Sequence, residues 1–158
     1  MFGEHHYRLT STWTGNTGTG TSDYRAYSRD ITVEIAGKPP LLASADKPFR
    51  GDPARWNPED MLLAALSECH LLSYLYVAVT AGVVVTDYRD DASGTMREDG
   101  KGGGQFTEVV LRPHVTVASA DMVDAATAAH QRANELCYIA DSVNFPVRHE
   151  PVIRVATA

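Results

Sequence analysis

Two cysteines in 158 residues are too few for a disulfide framework, so a small scaffold held together by bridges is excluded. Cys69 and Cys137 stand 68 positions apart and form no CxxC motif, and with six scattered histidines they match no compact zinc spacing. Basic residues are sparse too: 14 Lys and Arg against 20 Asp and Glu give a formal net charge of −6, with no basic run. Nucleic acids and anionic membranes are bound through clustered cations that displace counterions, so neither partner is expected. The start, "MFGEHHYRLTSTW", has no basic stretch leading into an apolar one. No secretory leader is therefore expected, and a cytoplasmic location is the default. In a reducing compartment a cysteine pair points to catalysis, redox sensing or simple burial rather than a permanent bridge. The Gly-rich stretches "TGNTGTGTSD" and "REDGKGGGQ" read as turns between strands. Neither leads from a strand into a helix, so neither is a phosphate loop or dinucleotide fingerprint. No cofactor or metal is expected.

What is present is an ordinary globular composition, 44% hydrophobic and 22% charged, of a length that suits one domain over residues 1–158. Its most apolar segment is "NPEDMLLAALSECHLLSYLYVAVTAG", residues 57–82, which carries Glu68, Cys69 and His70 at its centre. Asn57 is a good N-cap, Pro58 suits the first helical position, Glu59 and Asp60 complement the helix dipole, and Gly82 is a natural stop. A helix of this length could cross a bilayer, but a membrane span would place Glu68 near the midplane at a cost of about 2.5 to 3.5 kcal/mol. A buried core helix is the better reading. Because it is apolar on most sides, it needs more cover than one sheet face gives, including another helix or a second subunit.

A second helix is expected over "ADMVDAATAAHQRANELCYIADSVN", capped by Ser119. Met122, Val123, Ala126, Ala129, Ala133, Leu136, Cys137 and Ala140 recur at steps of three and four and form its apolar stripe, which turns Cys137 inward. The rest reads as strands: "YRLTSTW", "YRAYSRDITVEI", "PPLLASA", "VVVTDYRDDASGTM", "FTEVVLRPHVTV" and "PVIRVAT". The order gives an α+β fold with both cysteines on helices.

"NPEDMLLAALSECH", followed about seventy residues later by "CYIADSVNFPV", resembles the signature of the OsmC/Ohr family, the osmotically inducible and organic hydroperoxide resistance proteins. The likeness takes in "FRGDPARWNPED", "GVVVTDYRDDASGTM" and "VVLRPHVTV" and runs over nearly the whole chain. It implies antiparallel sheets around two long helices in an intertwined homodimer. It also implies a thiol-dependent peroxidase that reduces organic hydroperoxides with the help of an external dithiol. Matched position by position, Cys69 is the peroxidatic cysteine, Cys137 the resolving cysteine and Glu59 the acid of the Asn-Pro-Glu motif. The family arginine has three candidates. Arg29 in "YSRDITV" resembles the Arg-Asp pair of the hydroperoxide branch and ranks first. Arg50 follows Phe49 where the other branch has Arg before Phe, and Arg55 is the third.

The residues add constraints of their own. A peroxide-cleaving thiol must react as thiolate, which calls for a cation or oriented donors, and arginine stays protonated in a dry pocket. Glu59 precedes Cys69 by ten residues, about 15 Å of helical rise, so in a shared site Glu59 would come from the other subunit. Family members often have small apolar residues before the cysteine and Phe after it, whereas Glu68 and His70 stand here. They read first as interface or hydrogen-bonding groups, with His70 also a candidate for selecting substrate. Trp56 and Phe145 are packing residues or walls of an apolar substrate pocket. His114, His149, Tyr74, Tyr76 and Tyr138 read as structural or exposed. The competing reading is a non-catalytic protein that holds an apolar ligand in an interfacial pocket, or a redox sensor.

Overall fold

Asn57 starts the long helix as its sequence predicts: its Oδ1 accepts the Asp60 N–H at 2.7 Å, and helix α1 runs Pro58–Thr80 with Glu59 and Asp60 in its first turn. At the other end Gly82 adopts φ 70°, and paired bonds from Gly82 N to Val79 O and from Val83 N to Ala78 O close the helix. This left-handed close favours glycine because a Cβ is strained there. By length and hydropathy α1 would suit a bilayer. Its buried positions, Leu66, His70, Tyr74, Val77 and Ala78, instead form one stripe, and two of them carry polar atoms bonded to a second helix.

The computed structural model describes residues 3–157, and the chain forms two units, Met1–Leu62 and Leu63–Ala158. In the first, β1 (Thr10–Trp13), β2 (Ile31–Glu34) and β3 (Leu41–Ala43) make an antiparallel sheet in chain order. The Gly-rich link between β1 and β2 is organised by Asn16, whose Oδ1 accepts the N–H groups of Gly18 and Gly20. Trp56 continues the sheet loosely through a bridge to Ala43.

The second unit holds β4 (Val85–Asp90), β5 (Ser93–Glu98), β6 (Gly104–Leu111), β7 (Pro113–Val117), β8 (Val147–His149) and β9 (Val152–Val155). Each of the two long arms expected between residues 83 and 117 is in fact two strands, so the chain passes between sheets ordered β4-β7-β9 and β5-β6-β8. The pairs β4/β7 and β5/β6 are antiparallel, whereas β8 and β9 add to β6 and β7 in parallel. Asp90 fixes the crossing: one carboxylate oxygen accepts the Arg112 N–H at 2.7 Å and the other accepts the Ser67 hydroxyl of α1 at 2.5 Å.

The second helical region departs from one continuous helix. Helix α2 covers Val123–Glu135 and a single turn, α3, covers Tyr138–Asp141. Between them Cys137 is extended, φ −84° and ψ 98°, and its Sγ accepts the Ala140 N–H at 3.4 Å. The cysteine is thus a cap between helices and not a helical residue, because its sulfur takes up an N–H at the start of the next turn. The core packs Tyr74, Val77, Ala78 and Val83 against Val115, Val117 and the alanines 126, 129 and 133 of α2. Those alanines admit a close helix approach, and the buried Tyr74 hydroxyl donates to Ala126 O at 3.1 Å.

Candidate active site

Both cysteines are free thiols, and they face each other. Cys69 is half-buried in the middle of α1, whereas Cys137 is 1% exposed. Burial pushes the Cys137 thiol up to about 11, and the Cys69 sulfur beside it acts in the same direction; the Ala140 N–H on the sulfur offsets part of the rise. At neutral pH Cys137 is therefore a protonated thiol in a dry position beside a partner that solutes can approach. The Glu68 side chain is exposed, and successive helical positions diverge enough that its neighbours Cys69 and His70 point elsewhere.

His70 points into the core. Its Nε2 lies 3.0 Å from Nδ1 of His130 on α2, with the ring planes 12° apart. His149 of β8 lies over His70 with centroids 4.9 Å apart, and Tyr74 stacks on His130 at 4.0 Å. Burial holds these imidazoles neutral: His70 falls to about 4, through burial and then the neighbouring His149, and His130 to about 3, through burial and then His70 and His149. Burial lowers His149 as well. Among the described residues, His70 Nδ1, His130 Nε2 and His149 Nε2 are buried without a hydrogen-bond partner. His149, expected to be structural or exposed, is part of a buried histidine cluster that no local sequence pattern announces as a whole. The available signal was His130, which falls on the same stripe as Ala126, Ala133 and Cys137.

The other candidates in the second unit are simpler. Phe145 stacks on Phe106 with centroids 5.5 Å apart, which supports a packing role. Tyr76 and Tyr138 are exposed, whereas Tyr74 is buried and its hydroxyl pushed up to about 12 by burial. His114 lies 3.5 Å from Asp91 at the surface.

In the first unit Arg29 is held between the rings of Tyr24 and Tyr27, at 4.3 and 4.2 Å from their centroids, and donates to the carbonyls of both. Cation–π contact and two directed bonds leave its guanidinium little freedom. Arg50 lies farther over Tyr24, and Arg55 is paired with Asp30 at 3.6 Å and Asp52 at 3.5 Å. Trp56 is 49% exposed. Glu59, in the first turn of α1, has a buried Oε2 without a hydrogen-bond partner among the described residues.

A family model described as OsmC-like protein matches residues 51–151, well over half of the chain, including α1, both cysteines and the three clustered histidines. The chain belongs to the OsmC-like family. Its fold is similar to an OsmC-like protein of unknown function from Vibrio cholerae, with a TM-score of 0.84 and 33% identity over 94% of this chain and 100% of that one. An organic hydroperoxide resistance protein OsmC from Legionella pneumophila shares the fold at a TM-score of 0.63 and 16% identity, covering 96% of this chain and 100% of that one. In sequence the chain is similar to the uncharacterized protein YmaD of Bacillus subtilis, 24% identical over 89% of this chain and 87% of that one. The α+β OsmC-like fold expected from the two cysteine motifs is thus the fold of this protein.

Proposed function

We propose that this OsmC-like protein is a two-cysteine peroxidase that reduces organic hydroperoxides to alcohols. The observation that carries the reading is the pairing of an approachable Cys69 with a buried, protonated Cys137. Cys69 thiolate attacks the distal peroxide oxygen and the O–O bond breaks. The alkoxide leaves and takes up a proton as the alcohol. The Cys69 sulfur, oxidised by two electrons, becomes a sulfenic acid. The Cys137 thiol then attacks that sulfur, water leaves carrying the hydroxyl and the thiol proton, and a disulfide forms. An external dithiol reduces the bridge and is itself oxidised to its disulfide, so each peroxide consumes one dithiol.

The site is completed by a second copy of the chain. Leu72, Tyr76 and Val79 of α1 are 58%, 64% and 77% exposed, an apolar face that a second α1 would cover. The ten-position step from Glu59 to Cys69 spans about 15 Å along a helix, so Glu59 serves the partner's cysteine. Arg29 is the proposed thiolate partner, since its aromatic clamp presents a guanidinium held in a fixed orientation. Trp56 and Phe145 are the proposed apolar walls. No cofactor enters this chemistry, and the protein acts in the cytoplasm.

A second reading rests on a groove of about 490 Å³ beside the C-terminal end of α1, lined by Leu75, Ala78, Val79, Val83 and Val85. It would suit a small apolar ligand held without turnover. Steady-state consumption of cumene hydroperoxide with dithiothreitol or dihydrolipoamide separates the two. The peroxidase reading requires many turnovers per subunit, faster than with hydrogen peroxide and abolished in Cys69→Ser. A single stoichiometric uptake of ligand with no peroxide consumed would favour the binder.

A further inference from the structure

The bond between His70 and His130 is more specific than two buried rings in contact. Their centroids are 5.3 Å apart, the separation that two ring radii and a 3.0 Å N···N contact give when the bond lies along the line of centres. With planes 12° apart, the rings lie side by side, nearly coplanar, and one N–H of one ring points at the lone pair of the other. The bond crosses from α1 to α2 where both side chains are 2% exposed or less. Breaking it strands a desolvated donor or acceptor in the core.

Its place relative to the cysteines gives it a consequence. His70 directly follows Cys69, so anchoring one fixes the rotation of the helix that presents the other. His130 lies on the stripe that also holds Ala126 and Ala133, seven residues before Cys137, which follows the end of α2 at Glu135 by two residues. On α2 the fully buried apolar residues of this contact are alanines, with Val123 at the start of the helix and Leu136 just past its end packed partly buried against the core, so His130 is the buried α2 side chain that carries a directional bond across it. The further cross-links, Ser73 Oγ to Leu136 O at 3.4 Å and Tyr74 hydroxyl to Ala126 O, leave α1 three and four residues beyond His70 and end on backbone carbonyls. A disulfide tolerates only a narrow range of Cα separation and torsion, so a small slip between the helices penalises it.

We propose that the His70–His130 hydrogen bond is a positioning element that holds Cys69 and Cys137 in register for disulfide formation. The inference rests on reading the two cysteines as a redox pair, and it does not require the oxidant to be a peroxide. The bond forms between Sγ atoms as both thiols lose a proton and one electron each, with oxidised glutathione accepting the two electrons and two protons.

The test is the equilibrium between dithiol and disulfide in the full-length protein, set by glutathione buffers, quenched by alkylation and read by mass. Two substitutions of similar polarity differ in reach: in His70→Gln the amide reaches the position of Nε2, and in His70→Asn it falls short. His70→Gln is expected to keep the equilibrium constant within about threefold of wild type, and His70→Asn to lower it by about tenfold or more, in line with a lost buried hydrogen bond. Near-UV circular dichroism confirms that each remains folded. Equal constants in all three proteins, or equal losses in both variants, would overturn the positioning role alone. A wild-type protein that forms no Cys69–Cys137 disulfide in oxidised glutathione would overturn both this role and the redox pair. If His70→Asn does not fold, the imidazole ¹⁵N shifts of wild type decide: His70 Nε2 and His130 Nδ1 are expected to shift when the disulfide forms, and unchanged shifts would overturn the proposal.

Discussion

Lowering the pH from about 7.5 to about 5 leaves His70 and His130 neutral in the folded chain but protonates the same imidazoles once the chain unfolds. The folded values are about 4 and about 3, against an ordinary value of 6.5. Because both folded values are depressed, the unfolded chain binds more protons throughout this window, and stability falls as pH falls. Each histidine contributes about 2 kcal/mol between these two pH values, so the pair destabilises the fold by about 4 kcal/mol. His149, lowered by burial, acts in the same direction. That loss is a large part of a typical domain's 5 to 15 kcal/mol. The lowered carboxylates, Asp91, Asp99 and Glu135, begin to titrate only near and below the bottom of this window, so they leave its slope to the histidines. The assay is urea unfolding at both pH values and one protein concentration, repeated with His70→Gln combined with His130→Asn. Wild type is expected to lose about 4 kcal/mol and the double variant less than half as much. A loss in wild type below about 1 kcal/mol would mean that these imidazoles are not held neutral by burial.

Burial, the largest cause of the raised Cys137 thiol, persists in Cys69→Ser, so iodoacetamide is expected to alkylate Cys137 of that variant far more slowly than a free cysteine at pH 7, and faster as the pH is raised. Gly82→Ala is expected to lower stability by about 1 kcal/mol in thermal melts. Nothing lies within 4 Å of an added Cβ, so that cost is conformational and not a clash. Asn57→Ala removes the N-cap of α1 and is expected to cost about 1 kcal/mol by the same assay. Light scattering is expected to give a dimer, and Val79→Glu, which puts a charge on the exposed apolar face of α1, to give monomers with little peroxidase activity.

The long helix was legible because its signals are local: a cap, a proline, two acids and a terminal glycine act within a few residues of where they stand. The break before Cys137 was not, since the periodic stripe of α2 continues through it and the interrupting interaction is a sulfur cap with no common sequence mark. Strands β4 to β7 were visible as β-rich segments, but their division at residues 91–92 and 112 depends on Asp90 gripping both Arg112 and Ser67, a contact made only in the folded chain. β8 was overlooked because three residues give no alternation to read. The cysteine pair was found through its two motifs. The histidines were not, because His70, His130 and His149 come from a helix, another helix and a strand, and their common environment exists only once these are packed.

The most direct test of the proposed chemistry is the intact mass of the protein after one equivalent of cumene hydroperoxide. Wild type is expected to lose two hydrogens per subunit as the Cys69–Cys137 disulfide forms, and Cys137→Ser to gain one oxygen atom on Cys69, trapped by dimedone. Unchanged masses, with both thiols still free after excess peroxide, would contradict the proposed chemistry.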